Sequence, residues 1–251
     1  MTRLYAIGDI HGHFTELMGL HQRLLDDGMN PERDHLVFLG DYVDGGPRTR
    51  RVLEQLIAWD EQYPHWVFLK GNHEDLMLDA LVYGGRKYGD YYLWWNQGGR
   101  ETAMSYLPED ATAYERAIMQ HDEFISTSHL EWLNTRPLMH ETEQFLFVHA
   151  GFQPGYRLNG QSEETMLWIR GAFYNRRYNF GKPVVFGHTP FDEPQVFRDD
   201  RPGHETEIVA IGIDTMFHDV GRLTAARLDP AAPHVAPRFL FSEAVAGKAR
   251  W

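Results

Sequence analysis

The chain has 251 residues, 24 Lys+Arg against 36 Asp+Glu, a formal net charge of −12 and 43% hydrophobic residues, enough for a globular core. It has no cysteine, which excludes disulfides, Cys-ligated metal sites and cysteine nucleophiles. Its acidity argues against a nucleic-acid partner, and the lack of a membrane-length apolar run or signal stretch argues against a membrane and for a cytoplasmic location.

In chain order, short apolar runs of buried-strand character recur, and each stops at polar residues of unusual type. Leu4–Ile7 ends in Gly8-Asp9-Ile10-His11. A helix face follows, with Phe14, Leu17, Met18, His21, Leu24 and Leu25 at helical spacing. Leu36–Leu39 ends in Gly40-Asp41-Tyr42-Val43-Asp44, and beyond Pro47 a second face carries Val52, Leu53, Leu56 and Ile57. Trp66–Leu69 ends in Lys70-Gly71-Asn72-His73-Glu74, where Glu74 and Asp75 suit a helix's first turn. The stretch at about 88–134 reads as a mainly helical insertion. Its Tyr91, Tyr92, Trp94 and Trp95 suit a cap near the site, a nucleobase stack or, more simply, core packing. Phe145–Val148 ends in His149, and Val184–Phe186 ends in Gly187-His188. Strands are expected at Glu207–Ile211, Leu223–Leu228 and around Phe239–Phe241, the last after a loop holding Pro230, Pro233 and Pro237.

Strand, loop and helix in repetition predict an α/β fold, read as a single domain spanning 1–251. Ligands of open α/β sheets sit beyond the carboxyl ends of the strands, so these polar ends should converge. Taken alone, all but His73, which has no evident structural reason, have an ordinary reading. Asp9 suits a helix N-cap beside a surface His11, Asp41 and Asp44 suit a turn, Asn72 suits an N-cap, and His149 and His188 suit buried core positions. Together they supply hard-to-borderline oxygen and nitrogen donors without sulfur. That mix fits divalent metal ions, with manganese first and iron or zinc as alternatives. There are more donors than one ion needs once room is left for water, which favours a pair of ions.

Gly8-Asp9-Ile10-His11-Gly12, Gly40-Asp41-Tyr42-Val43-Asp44, Gly71-Asn72-His73-Glu74, His149 and Gly187-His188 together resemble the calcineurin-like metallophosphoesterase signature. The form of these motifs is similar to the bacterial serine/threonine phosphatase branch. Gly212-Ile213-Asp214-Thr215 and Leu223-Thr224-Ala225 also resemble that branch's closing strands. The resemblance implies a two-sheet β-sandwich flanked by helices. It implies two divalent ions, with Asp9 and His11 on the first, Asp41 bridging, and Asn72, His149 and His188 on the second. It makes His73 the general acid, Asp44 its partner and Arg170 a phosphate contact. The implied activity is a phosphoester hydrolase acting on phosphorylated proteins or, alternatively, on dinucleoside polyphosphates or other small phosphate esters. A catalytically dead scaffold would have lost ligands, and all six are present. The chain departs from the branch at Gly45, where a phosphate-binding arginine is usual. Arg170 is the expected replacement, with Arg48 as a helper and Arg100 as a further candidate.

Overall fold

The computed structural model describes residues 2–89, 91–107, 125–217 and 220–245. The first third alternates strand and helix: β1 (Leu4–Ile7), α1 (Phe14–Asp26), β2 (His35–Phe38), α2 (Thr49–Gln62), β3 (Val67–Phe68) and α3 (Asn72–Leu81). A helix returns the chain after each strand, so β1, β2 and β3 run parallel. Six further strands are β4 (Met139–Glu141), β5 (Leu146–Val148), β6 (Val184–Phe186), β7 (Gln195–Arg198), β8 (Ile208–Gly212) and β9 (Met216–Phe217). The last three are β10 (Val220–Gly221), β11 (Thr224–Leu228) and β12 (Arg238–Phe241).

Two mixed five-stranded sheets result, ordered β12-β11-β1-β2-β3 and β4-β5-β6-β8-β7, with β9 and β10 as a separate ribbon. Strand alternation decides which side chains go between them. Leu4, Ala6, Val37 and Leu39 of the first sheet join Phe147, Val185 and Ile211 of the second in one buried cluster. The intervening residues face outward under helices. Tyr5, Ile7, Leu36 and Phe38 pack against Leu17, Leu20 and Leu24 of α1 and Val52, Leu53 and Leu56 of α2. Leu146, Val148, Val184 and Phe186 pack against Met166 and Phe173. The expected sandwich flanked by helices is therefore the observed architecture.

The expected strands form within a residue or two of their sequence bounds, and the two expected helix faces lie within α1 and α2. The edge strands β4 and β7 have no counterpart in the sequence reading. Gln195–Arg198 is only half-buried along its length, so it lacks the alternation that marks a covered strand. Within the stretch read as a helical insertion lie helices Tyr91–Trp94, Arg100–Met104 and Thr127–Asn134, while 108–124 falls outside the described residues. No helix among the described residues is long and apolar enough to cross a membrane.

Candidate metal and catalytic site

The loops leaving β1, β2, β3, β5 and β6 meet at one end of the sandwich. His11, Asp41, Asn72, His73, Arg170, His188 and Asp214 line a common cavity of about 320 Å³ there. Two donor groups stand out: His11, Asp41 and His73, and Asp41, His149 and His188, each with its donor atoms within 4.8 Å of one another. Asp41 belongs to both. Its Oδ2 lies 3.7 Å from His11 Nε2 and its Oδ1 lies 3.4 Å from His149 Nε2.

Backbone carbonyls fix which ring nitrogens face inward. His149 Nδ1 donates to the Leu39 carbonyl at 2.9 Å, and His11 Nδ1 lies 3.1 Å from the Val43 carbonyl. With Nδ1–H so engaged, a neutral His149 turns the lone pair of Nε2 toward Asn72 Oδ1 at 2.8 Å. His188 Nδ1 meets the same Asn72 oxygen at 2.8 Å. Burial lowers the pKa of His149, and burial together with His149 pushes His188 down to about 2, so both rings are neutral. Burial alone would raise Asp41, but His149, His73 and His11 hold its carboxyl well below the usual range. Acceptor faces acceptor, an arrangement that a cation relieves.

Asp9 adds a further oxygen. Its Oδ2 accepts the His188 N–H at 2.9 Å, while Oδ1 is buried without a hydrogen-bond partner, as is His188 Nε2. These two orphaned atoms and the all-oxygen and nitrogen donor set fit divalent metal ions. Asp9 is not the N-cap of α1, a place taken by His13, and His11 is buried rather than on the surface. Asn72 is the first residue of α3, and Gly71 is its N-cap.

The loops are held in costly conformations. His11, Asp41, Asp44 and His188 all have positive φ, and Arg177 is the one other such non-glycine among the described residues. Glu74 braces the second loop: its buried carboxylate accepts the N–H groups of Gly71, Asp41, Tyr42 and Val43 at 2.7–3.2 Å. A Cβ on Gly71 would collide with the Asp41 carboxylate, and one on Gly187 with that of Asp9. Glycine is required at both for the chain to pass so close.

His73 Nδ1 pairs with Asp44 Oδ2 at 2.8 Å. Burial alone would lower its pKa, but the Asp41 and Asp44 carboxylates push it up to about 9, so in the metal-free chain the ring is an imidazolium at neutral pH. Asp44 is held in turn by Trp94 Nε1 at 3.0 Å and Thr102 Oγ1 at 2.9 Å. Trp94 is wholly buried, which rules it out as a stacking platform for a nucleobase and agrees with core packing. Its indole N–H nevertheless serves the site.

Of the arginines, Arg170 lines the cavity, with Nη1 donating to the His188 carbonyl at 3.1 Å. Arg48 bonds Thr15 Oγ1 at 2.6 Å and borders a separate cleft, and neither it nor Arg100 lines the donor cavity. The sequence reading gave Asp214 no role. It is buried in the cavity wall against Asp9, and burial raises its carboxyl to about 7. Its one signal was a strand-end Asp in Gly212-Ile213-Asp214.

A family profile described as calcineurin-like phosphoesterase matches residues 2–217. An asymmetrical bis(5'-nucleosyl)-tetraphosphatase of Anoxybacillus flavithermus is 26% identical over 263 residues, spanning 93% of this chain and 96% of that one. Serine/threonine-protein phosphatase 1 of Salmonella typhimurium is 30% identical over 193 residues, spanning 74% and 78%. Among solved structures, a metallophosphoesterase from Sphaerobacter thermophilus aligns over 97% of this chain and 89% of its own, with TM-score 0.56 and 18% identity. A cold-active protein-tyrosine phosphatase of a Shewanella aligns over 97% and 81%, with TM-score 0.58 and 16% identity. At such identities the structural likeness concerns the fold.

Proposed function

The chain belongs to the calcineurin-like phosphoesterase family, and from that premise we propose a dimetal-dependent phosphomonoesterase acting on phosphoserine and phosphothreonine in proteins. Asp9 and His11 would hold one ion, Asn72, His149 and His188 the other, and Asp41 would reach both, one oxygen toward each donor group. When bound, two divalent ions, manganese first, supply positive charge to a phosphate dianion and make a water acidic enough to act as nucleophile near neutral pH. Arg170 binds a phosphoryl oxygen from the cavity wall. His73, protonated and fixed by Asp44, gives its proton to the departing oxygen.

The observation that carries this reading is the His73–Asp44 pair, set beside the metal donors and buried. An alkoxide leaves poorly and needs a proton, whereas a phosphate leaving group does not. A dedicated imidazolium is therefore best used on serine and threonine esters. A second reading, hydrolysis of dinucleoside polyphosphates, draws on the tetraphosphatase relative that spans 93% of the chain and on the missing arginine at Gly45.

The test is hydrolysis of p-nitrophenyl phosphate with added manganese and with chelator, followed by phosphopeptides beside a dinucleoside tetraphosphate. Manganese-dependent turnover with higher kcat/KM on phosphopeptides is expected. Higher kcat/KM on the dinucleotide would replace the first reading with the second, and full activity in chelator would overturn both.

A further inference from the structure

Two acidic residues of α3, Asp75 and Asp79, are buried yet line no part of the donor cavity. Asp79 accepts the N–H groups of Lys87 and Tyr88 at 2.8–3.2 Å and, through its carbonyl, that of Gly85. This pins the 82–89 loop against the helix. Asp75 Oδ2 accepts the Tyr88 hydroxyl at 2.6 Å and Lys87 Nζ at 2.6 Å. Lys87 Nζ also reaches Glu163 at 3.0 Å. The Tyr88 oxygen in turn accepts Trp168 Nε1 at 2.8 Å.

Trp168 ends the helix Glu163–Trp168, two residues before Arg170. Its ring stands edge-on to the His188 ring, with centroids 6.1 Å apart and planes at 84°. His188 is therefore gripped at four points: N–H to Asp9, carbonyl from Arg170, Nδ1 at Asn72, and ring against Trp168. Its φ of 61° lies in the left-handed region, which a non-glycine residue keeps only where its surroundings enforce it. Asp75 stands three residues after Asn72 on the same helix, so the relay ties the start of α3 to His188, whose Nδ1 meets Asn72.

We propose that Tyr88 and Trp168 are positioning residues that, through the Asp75–Tyr88–Trp168 relay, hold Arg170 and His188 in register and so set the affinity of the site for phosphate. This rests on the reading of Arg170 as the phosphate contact. Neither residue lines the cavity, so their effect passes through Arg170 and His188.

The experiment titrates inorganic phosphate into manganese-loaded protein by calorimetry, for wild type, Tyr88→Phe, Trp168→Phe, Arg170→Ala and the Tyr88→Phe/Arg170→Ala double variant. Metal content and melting temperature are measured alongside. Tyr88→Phe and Trp168→Phe should each weaken phosphate binding about 10-fold with metal content unchanged, in keeping with other supports one step removed from a site. Tyr88→Phe should add nothing further on the Arg170→Ala background. KM for p-nitrophenyl phosphate should rise more than kcat falls. Trp168→Phe removes bulk, so Tyr88→Phe, which loses a single oxygen, carries the decision should the former not fold. Unchanged phosphate affinity in Tyr88→Phe, a fully additive double variant, or an Arg170→Ala variant that binds phosphate normally would each overturn the proposal. Wild type that binds phosphate but hydrolyses no ester would sink the enzymatic reading instead, since calorimetry reads the relay without turnover.

Discussion

The two sheets meet at the site on unequal terms. The first sends three consecutive parallel strands, β1, β2 and β3, and each ends in a cluster: Asp9 with His11, Asp41 with Asp44, Asn72 with His73 and Glu74. The second sends single residues, His149, His188 and Asp214, from β5, β6 and β8. The histidines differ in the same way. His73 stands among carboxylates that outweigh its burial and raise it to about 9, whereas His188 is lowered to about 2 by burial and by a neighbouring histidine and arginine. One side of the cavity is thus arranged to hold a proton, the other to offer lone pairs. Similar residue types are put to opposite uses by their neighbours.

The sharpest break in this comparison is Asp41→Asn, because Asp41 alone belongs to both donor groups. It should cause the largest loss of hydrolysis of any single change and drop bound manganese toward zero by elemental analysis, whereas His188→Asn should remove about one ion. Next comes His73→Asn, expected to cut kcat about 10²–10⁴-fold on alkyl phosphates and far less on p-nitrophenyl phosphate. His73 also falls within a donor group, so metal content decides its role: retention of both ions supports the proton donor, and loss of one makes His73 a ligand.

The opposite titrations can be read as stability of the metal-free protein. His73 is raised from 6.5 to about 9, so its contribution is fully present below pH 6.5 and is lost as the pH rises through 9. His188 is lowered from 6.5 to about 2, so its penalty is present at low pH and lifts as the pH rises toward 6.5. Chelated wild type should lose up to about 1.4 kcal/mol per pH unit as the pH rises above 6.5 relative to His73→Asn, and should lose similarly as the pH falls below 6.5 relative to His188→Asn. Denaturant melts across pH 4.5–9 would show parallel curves if the two sides were electrostatically alike. The smallest effect concerns the turn where the arginine is missing. Gly45 has φ 87°, so Gly45→Ala should cost about 1–2 kcal/mol in a denaturant melt without altering metal content.

The same inequality explains what could be read in advance. The first sheet's donors come as short contiguous motifs after apolar runs, and buried parallel strands advertise themselves by composition alone. His149 and His188 were legible because each ends such a run. Asp214 ends one too, but one aspartate followed by threonine looks like any turn. The supports of Asp44 were out of reach, since Trp94 and Thr102 lie 50 and 58 residues away and neither position has a local reason to serve a carboxylate. Asp75 reads as a helix-start acid and Asp79 carries no signal, because the loop that Asp79 pins is held by backbone N–H groups, which have no residue-type signature. Arg48 looked able to fold back across two glycines. The folded chain instead spends those glycines on backbone crossings, where a Cβ on Gly46 would strike the His11 carbonyl.

The sequence by itself determined the strand–helix alternation that lays β1, β2 and β3 side by side, the helices behind them and the set of oxygen and nitrogen donors, because these follow from apolar periodicity and from residue types at strand ends. Tertiary structure alone decided which donors share an ion's reach, which ring nitrogen of each histidine faces inward, and which arginine stands in the cavity. Those outcomes depend on left-handed backbone at His11, Asp41 and His188 and on carbonyls of Leu39 and Val43. Such contacts join residues 32 and 110 positions apart, and no local pattern encodes a distance between two chain segments until the sheets have packed.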